Sequence, residues 1–411
     1  MAQLHVLDDL GLSITGLASK YPSHSITTAS LERIGARHYP DSPLTKKLLA
    51  LNDSSGILSR PSVHDPDDQL INQDRAPSIS EVHQRFLERG VPLAIEAAQS
   101  AITEAQTSPS YITHMVSVTC TDSANPGYDH YVGRGLGVPN SVEKVLLHGV
   151  GCSGGLAALR MAANLALGHA RRGKPARVLV VALEVNSTLV RSEMDSMSQL
   201  GELRIGLALF SDGAGALVLS NSIDESTRPV YSLLGWQHRI IPDTEDDLGF
   251  NVDPLGKDEN ILAHPNCARK LNEMLGWKVV LSRRIPELTK SALQPMFSSL
   301  LENTPCFSSQ HASACDFDWA IHPGGAAVLA SIQEALAIPG DEMRASYDTY
   351  REHGNSSSAA IFTVLDRLRS KERIDDTQNG KRKVYTVACA FGPGVAVEMC
   401  MLKRSDSHSE L

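Results

Sequence analysis

Residues 155–167 read Gly-Leu-Ala-Ala-Leu-Arg-Met-Ala-Ala-Asn-Leu-Ala-Leu, with Arg160 and Asn164 as the only strongly polar side chains. Alanine, leucine and methionine are strong helix formers, so this stretch is predicted to be a helix that is apolar nearly all round. Such a helix has no face to offer water and belongs inside a core. A few residues later, 177–183 form an almost continuous apolar run, suited to a strand covered on both faces. At 411 residues the chain can bury a large core, as two or three domains or as one large duplicated one.

Strand-like and helix-like segments alternate along the rest of the chain. Strands are predicted at 12–17, 114–119, 144–147, 177–183, 319–321, 383–390 and 395–402. Helices are predicted at 91–105, 155–167, 326–336 and 357–367, with Pro92 tolerated because it falls in a first turn. Residues 207–210 and 215–219 flank Ser211-Asp212-Gly213, whose Asp-Gly pair signals a tight turn. Alternation in both halves indicates α/β architecture with parallel or mixed sheets. No strict short repeat is present, so the fold is a duplication at most.

Composition narrows the function. A formal charge of −9 gives no support for a general nucleic-acid surface, although local clusters of Lys and Arg leave room for a small anionic ligand. The seven cysteines are odd in number, widely spread and without a CxxC pair, so neither a zinc site nor a disulfide scaffold is indicated. Core filling is the expectation for all of them except Cys152. The opening Met-Ala-Gln-Leu-His-Val-Leu-Asp-Asp lacks a basic segment and a long apolar run, and no stretch reaches membrane-spanning length. A cytoplasmic, reducing setting is expected, with no integral membrane segment and with Cys152 a free thiol.

Three strings carry chemistry: Val150-Gly-Cys152-Ser-Gly-Gly155, Ile321-His322-Pro-Gly-Gly325 and His353-Gly-Asn355-Ser-Ser-Ser-Ala359. Each sets one reactive side chain among glycines and small residues. A thiol captures an acyl group from a thioester, while an imidazole and a carboxamide donate hydrogen bonds to a thioester oxygen that becomes an enolate. Taken singly, each has a plainer reading: a buried cysteine, a structural histidine, an asparagine helix cap. Cys152 lies between a strand and the buried helix, so the helix terminus and His322 are expected to make it thiolate-rich. Phe391-Gly392-Pro393-Gly394 reads as a rigid turn.

With these strings in view, the chain resembles the type III polyketide synthases, the chalcone-synthase-like branch of the thiolase superfamily. Further matching strings are Arg177-Val-Leu-Val-Val, Ala208-Leu-Phe-Ser-Asp-Gly-Ala and Phe391-Gly-Pro-Gly, in family order from about residue 12 to about residue 403. Thr121-Asp-Ser-Ala-Asn-Pro-Gly-Tyr-Asp and Val190-Arg-Ser-Glu-Met-Asp-Ser look most like the fungal members. The resemblance implies a duplicated, layered αβαβα thiolase fold. Residues 1–225 would form the half carrying Cys152, and 226–411 the half carrying His322 and Asn355. It further implies a homodimer acting on acyl-CoA and malonyl-CoA through a narrow tunnel, without metal, cofactor or acyl carrier protein.

By the same resemblance Cys152 is the acyl-accepting nucleophile, and His322 and Asn355 promote malonyl decarboxylation. Phe210 matches a gatekeeper, and Cys120, Asn186, Leu189, Ser357, Phe391, Gly392 and Pro393 fall at cavity positions. Lys47, with Lys46 beside it, and Gly324, Gly325 and Ala327 fall where coenzyme A is held, although a solvated surface lysine is the plain alternative for Lys47. Val279 stands where plant members have a second gatekeeper phenylalanine, Leu189 replaces a small polar residue, and Ala390 replaces a glycine. Residues 257–276 interrupt a stretch expected to be continuous, with Leu-Gly at both borders. The segment reads either as a surface insertion or as a translated intron.

The expected activity is iterative. A CoA-linked starter, fatty acyl rather than aromatic, acylates Cys152. Decarboxylated malonyl units then extend it to a poly-β-ketone that cyclises to an alkylpyrone or resorcinol type of product. Two alternatives stand beside it. One is a single-condensation enzyme of the ketoacyl synthase III or hydroxymethylglutaryl-CoA synthase kind, the latter needing an acid/base such as Glu184. The other is a dimeric scaffold inactivated by the insertion.

Overall fold

The apolar helix expected at 155–167 spans Gly154–Ala170 and lies at the centre of the molecule. The computed structural model describes residues 10–221, 223, 229–252, 277–307, 312–369 and 383–405. Its strands, in chain order, are β1 (Ser13–Lys20), β2 (His24–Ile26), β3 (Arg60–Ser62), β4 (His114–Val118), β5 (Glu143–Leu147), β6 (Arg177–Glu184) and β7 (Gly213–Ser220). They continue as β8 (Tyr231–Ile240), β9 (Leu248–Val252), β10 (Trp277–Leu281), β11 (Asp318–Ile321), β12 (Tyr385–Gly392) and β13 (Ala396–Arg404). Six helices position the site: α1 (Pro43–Ser54), α2 (Val91–Glu104), α3 (Gly154–Ala170), α4 (Ile285–Glu302), α5 (Ala326–Leu336) and α6 (Ala360–Arg369).

Nine strands join in the order β11-β12-β13-β8-β1-β7-β6-β4-β5. The pairing repeats itself. In the first half β4 runs parallel to β6, β6 antiparallel to β7, and β7 antiparallel to β1. In the second half β11 runs parallel to β12, β12 antiparallel to β13, and β13 antiparallel to β8. The two sets meet only where Ser13 and Ile14 pair with Ser232 and Tyr231. Helices α3 and α6 touch strands of both sets, α2 packs outside the first set, and α4, itself packed on α5, outside the second. The result is a five-layer αβαβα arrangement of the thiolase type.

Side-chain alternation explains why the layers hold. Val178, Val180 and Ala182 of β6 face the central helices, whereas Leu179, Val181 and Leu183 face α2, so the strand is covered on both sides as its sequence requires. In β13, Cys400 and Leu402 point inward while Met399 and Met401 meet the outer cluster of Phe297, Trp319 and Leu329. Within α3, Arg160 escapes the apolar rule by forking onto buried Glu398 of β13, through Nε at 2.9 Å and Nη2 at 2.7 Å. Among the described residues no helix is long and apolar enough to cross a membrane.

One local expectation is corrected. Residues 207–210 do not form a strand turning back at Asp212-Gly213. Gly206–Leu209 is a single helical turn, and β7 pairs with β1 and β6 instead. Asp212 is used differently: its buried carboxylate accepts the Val63 and Ser187 backbone N–H groups, both at 2.7 Å, and the Ser187 hydroxyl. Pro92 does fall in the first turn of α2, as expected, and Ile79–Arg85 runs into that helix through the wide turn Phe86–Gly90. A π-type turn opens the hydrogen-bond ladder where the proline ring would otherwise collide with it. The segment 257–276 lies outside the described residues. Its flanks are ordered as an antiparallel pair, β9 with β10, in which Val252 stands opposite Trp277.

Candidate active site

Cys152 sits in the 3-10 turn Gly151–Ser153 that leads from the region after β5 into α3. That turn must touch two others. An added Cβ on Gly155 would stand 2.5 Å from the Ser358 carbonyl oxygen, and one on Gly392 would stand 2.2 Å from Ser153 Oγ. Side chains at these two positions would hold the cysteine turn away from both the asparagine turn and the β12 end, so glycine is required for the three strings to meet. His322 follows directly on β11, its N–H bonded to the Cys389 carbonyl at 2.8 Å. Asn355 lies opposite Phe210 in an isolated parallel bridge, its backbone tied to Leu209 and Ser211.

All three side chains line one cavity of about 480 Å³. Its walls are mostly apolar, and its polar groups are few. Asn355 Oδ1 accepts the Ser357 N–H at 2.8 Å, which leaves Nδ2 as the donor, directed at the Cys152 sulfur. The bond to Ser357 is an Asx turn ahead of the helical turn Ser357–Ala359, whose N-cap is Ser356, so Asn355 is not the helix cap that the plain reading of its sequence offered. Ser357, at φ +49°, occupies a left-handed conformation that serine rarely adopts. There its hydroxyl meets two thiols, Cys152 at 3.4 Å and Cys120 at 3.5 Å.

Burial dominates the electrostatics. It pushes the Cys152 thiol up to about 11, outweighing the lowering effect of the Ser357 and Asn355 hydrogen bonds, with nearby Glu184 adding to the rise. It pushes His322 down to about 3. Neither ring nitrogen of His322 has a hydrogen-bond partner among the described residues. The expectation of a thiolate-rich Cys152 is therefore corrected: desolvation exceeds the helix-terminus effect, and the neutral imidazole offers no cation to offset it. Glu184 is fully buried beneath the site, raised by the same desolvation. Its carboxylate is occupied by Thr119, Cys120, Thr121 and Ser358. It does not line the cavity, so the acid/base demanded by a hydroxymethylglutaryl-CoA synthase reading is not in place.

Of the other residues singled out from sequence, Cys120, Asn186, Phe210, Val279, Phe391, Pro393, Gly324, Gly325 and Ala327 line the cavity with the triad and Ser357. Leu189 stands one layer back, on a separate void of about 20 Å³ shared with Arg60, Asn186, Phe210 and Val279. Gly392 backs the cysteine turn without lining the cavity. Lys46 and Lys47 are exposed on α1, outside the lining. Among the remaining cysteines, Cys389 and Cys400 fill core as expected, Cys120 is a cavity wall, Cys315 is exposed, and Cys267 lies outside the described residues.

Among the lining residues that escaped the sequence reading, two bear on substrate entry. Phe250 of β9 lines the cavity directly opposite Val279 in the β9–β10 register. Arg283, exposed on the turn after β10, stands at the rim. Only the strand register would have revealed Phe250, and the interruption at 257–276 hides that register from the sequence.

A five-layer fold that brings one thiol, one imidazole and one carboxamide into an apolar-walled cavity defines a condensing acyltransferase of the thiolase type. The model for chalcone and stilbene synthases, N-terminal domain, matches residues 61–222, and that for the C-terminal domain matches residues 261–405. The chain belongs to this family, the type III polyketide synthases. The acylalkylpyrone synthase csyB of Aspergillus oryzae is 37% identical, over 97% of this chain and 96% of its own. The crystal structure of a fungal type III polyketide synthase, ORAS, is 52% identical and superposes with a TM-score of 0.89, covering 96% of this chain and 100% of that one. CsyB solved in complex with CoA-SH is 36% identical with a TM-score of 0.87, at the same coverage.

Proposed function

We propose that Cys152 carries the growing acyl chain and that His322 and Asn355 together hold the thioester oxygen of malonyl-CoA during decarboxylation. The observation that carries this reading is the convergence of the three groups, from two halves of the chain, on a single cavity. In the acyl transfer the Cys152 proton passes to His322 as the sulfur attacks the starter thioester, and the imidazolium then hands it to the departing coenzyme A thiolate, which leaves as the free thiol and returns the ring to its neutral form. In the condensation the low affinity of His322 for a proton becomes an advantage. A neutral imidazole donates a hydrogen bond to the enolate without surrendering a proton that would quench the carbanion. Asn355 Nδ2 supplies the second donor, and the apolar walls keep water from the enolate.

CoA thioesters are the substrates in this reading, supported by the relative solved with CoA-SH. Lys47, Leu51 and Ser54 share one face of α1, and Leu51 and Ser54 line the cavity, so Lys47 prolongs that wall toward solvent. It would meet the CoA phosphates from one side and Arg283 from the other. Lys46 is turned away from that face. The acyl starter is fatty: each buried methylene gains roughly 0.8 kcal/mol, and the walls are apolar enough to collect it. Cyclisation to an alkylpyrone type of product follows the name of csyB. A homodimer in a cytosolic setting completes the reading, with β5 leaving an unpaired sheet edge for a second copy.

Purified protein incubated with an acyl-CoA and malonyl-CoA provides the test, by counting malonyl units per product with mass spectrometry. More than one unit is expected. A single unit would make it a single-condensation enzyme, and none would make it a scaffold.

A further inference from the structure

At the far end of α3 from Cys152, three potential ligands converge from three elements. His114 opens β4, Glu143 opens β5 directly opposite it in the parallel register, and His169 lies in the last turn of α3. Their donor atoms lie within 4.8 Å of one another. His114 is 2% exposed, Glu143 is exposed, and His169 is half-buried. The two imidazole rings meet edge to face, with centroids 4.4 Å apart.

The hydrogen bonds around His114 fix which nitrogen is available. Thr113 Oγ1 gives its one proton to the Arg177 carbonyl at 3.1 Å and accepts the Arg177 N–H at 3.0 Å. Its 2.8 Å contact with His114 Nδ1 is then an N–H donated by the ring. Nε2 is left with a lone pair, and that lone pair faces Glu143 Oε2 at 4.0 Å. The buried His169 Nδ1 also lacks a hydrogen-bond partner among the described residues. The His114 Nε2 lone pair, a carboxylate oxygen of Glu143 and a ring nitrogen of His169, brought close together with no hydrogen bond between His114 and Glu143, suit a cation. A histidine whose second nitrogen is pinned by a hydroxyl anchored to the backbone has the supporting geometry of a metal ligand.

We propose that His114, Glu143 and His169 form a binding site for a divalent transition metal, Zn²⁺ being the best match to two imidazoles and one carboxylate with a position left for water. Ligands of tetrahedral zinc stand about 2.0–2.1 Å from the ion, and the exposed Glu143 side chain is free to close in. The site uses no cysteine, which is why cysteine spacing gave no hint of it. It lies about 25 Å along α3 from the nucleophile. The ion therefore clamps the helix end to β4 and β5, taking no part in the chemistry.

Full-length protein stripped with a chelator and titrated with ZnCl₂ by calorimetry tests the site. About one Zn²⁺ per chain is expected, together with a higher thermal midpoint. His169→Ala should abolish both effects, and Glu143→Gln should weaken binding at least about tenfold. These two positions are chosen because His114→Ala disturbs the core. Cys152→Ala should bind Zn²⁺ as the wild type does. Absence of saturable binding, binding unchanged in His169→Ala, or binding lost in Cys152→Ala would each overturn the proposal.

Discussion

Cys152 and His322 are neutral for one shared reason, their removal from water, and that fixes the pH behaviour of the site. With the thiol pushed up to about 11 and the imidazole down to about 3, the pair rests as thiol and imidazole at neutral pH. Alkylation by iodoacetamide needs the thiolate, so its rate at Cys152 should climb about tenfold per pH unit from roughly pH 6 to 9. A rate already level by about pH 7 would instead reveal a preformed thiolate–imidazolium pair. Asn355 is separable from that pair. Asn355→Ala and Asn355→Asp both remove the amide donor, while the aspartate keeps an acceptor for the Ser357 N–H. Both should slow malonyl-CoA decarboxylation by about 10²–10³-fold while leaving acyl transfer to Cys152 largely intact. Loss of acylation with decarboxylation spared would reverse the assignment. The triad was legible because each member sits in a string that only close backbone approach explains. The shared hydroxyl of Ser357 and the full set of donors on Glu184 were not, since they join residues far apart in the chain.

Elements set what the cavity admits. Val279 has less bulk than the gate phenylalanine the resemblance implies, yet Phe250 stands opposite it in the β9–β10 pair and supplies an aromatic residue to the same cavity wall. Phe250→Gly should therefore raise kcat/KM for long acyl-CoA starters relative to short ones, and Val279→Phe should do the reverse. Unchanged chain-length preference in both variants would exclude this hairpin as the determinant. The same register bears on the interruption at 257–276. Val252 faces Trp277, so excising the segment leaves Asp253 to Gly256 as a four-residue hairpin loop, a common length. The deletion variant should fold with an unchanged thermal midpoint and retain condensing activity. A variant that aggregates or loses acyl transfer would make the segment an integral part of the fold. Helices α3 and α5 were legible to within a few residues, the first because its composition is apolar nearly all round and the second because it is a run of helix formers that buries only Leu329, Ile332 and Leu336. The helical turn at 206–209 was not, because Asp212 is claimed by Val63 and Ser187, which lie distant in sequence.

At the scale of the molecule, the fold places one reactive group from the first half against two from the second. The glycines at 155 and 392 let the turns close, and the fork of Arg160 onto Glu398 ties the central helix to β13. The layered class could be read from strands apolar on both faces and a helix apolar all round. The nine-strand order could not, because parallel partners such as β4 with β6 are set by packing and leave no local trace. Everything proposed for the chemistry rests on Cys152 holding the chain in place of Cys120, the second thiol on the same Ser357 hydroxyl. Peptide-mapped mass spectrometry after brief exposure to acyl-CoA, followed by malonyl-CoA, decides between them. The acyl adduct is expected on the peptide containing Cys152, lengthening and then clearing when malonyl-CoA is added. An adduct on Cys120, or one on Cys152 that malonyl-CoA leaves unchanged, would contradict the account.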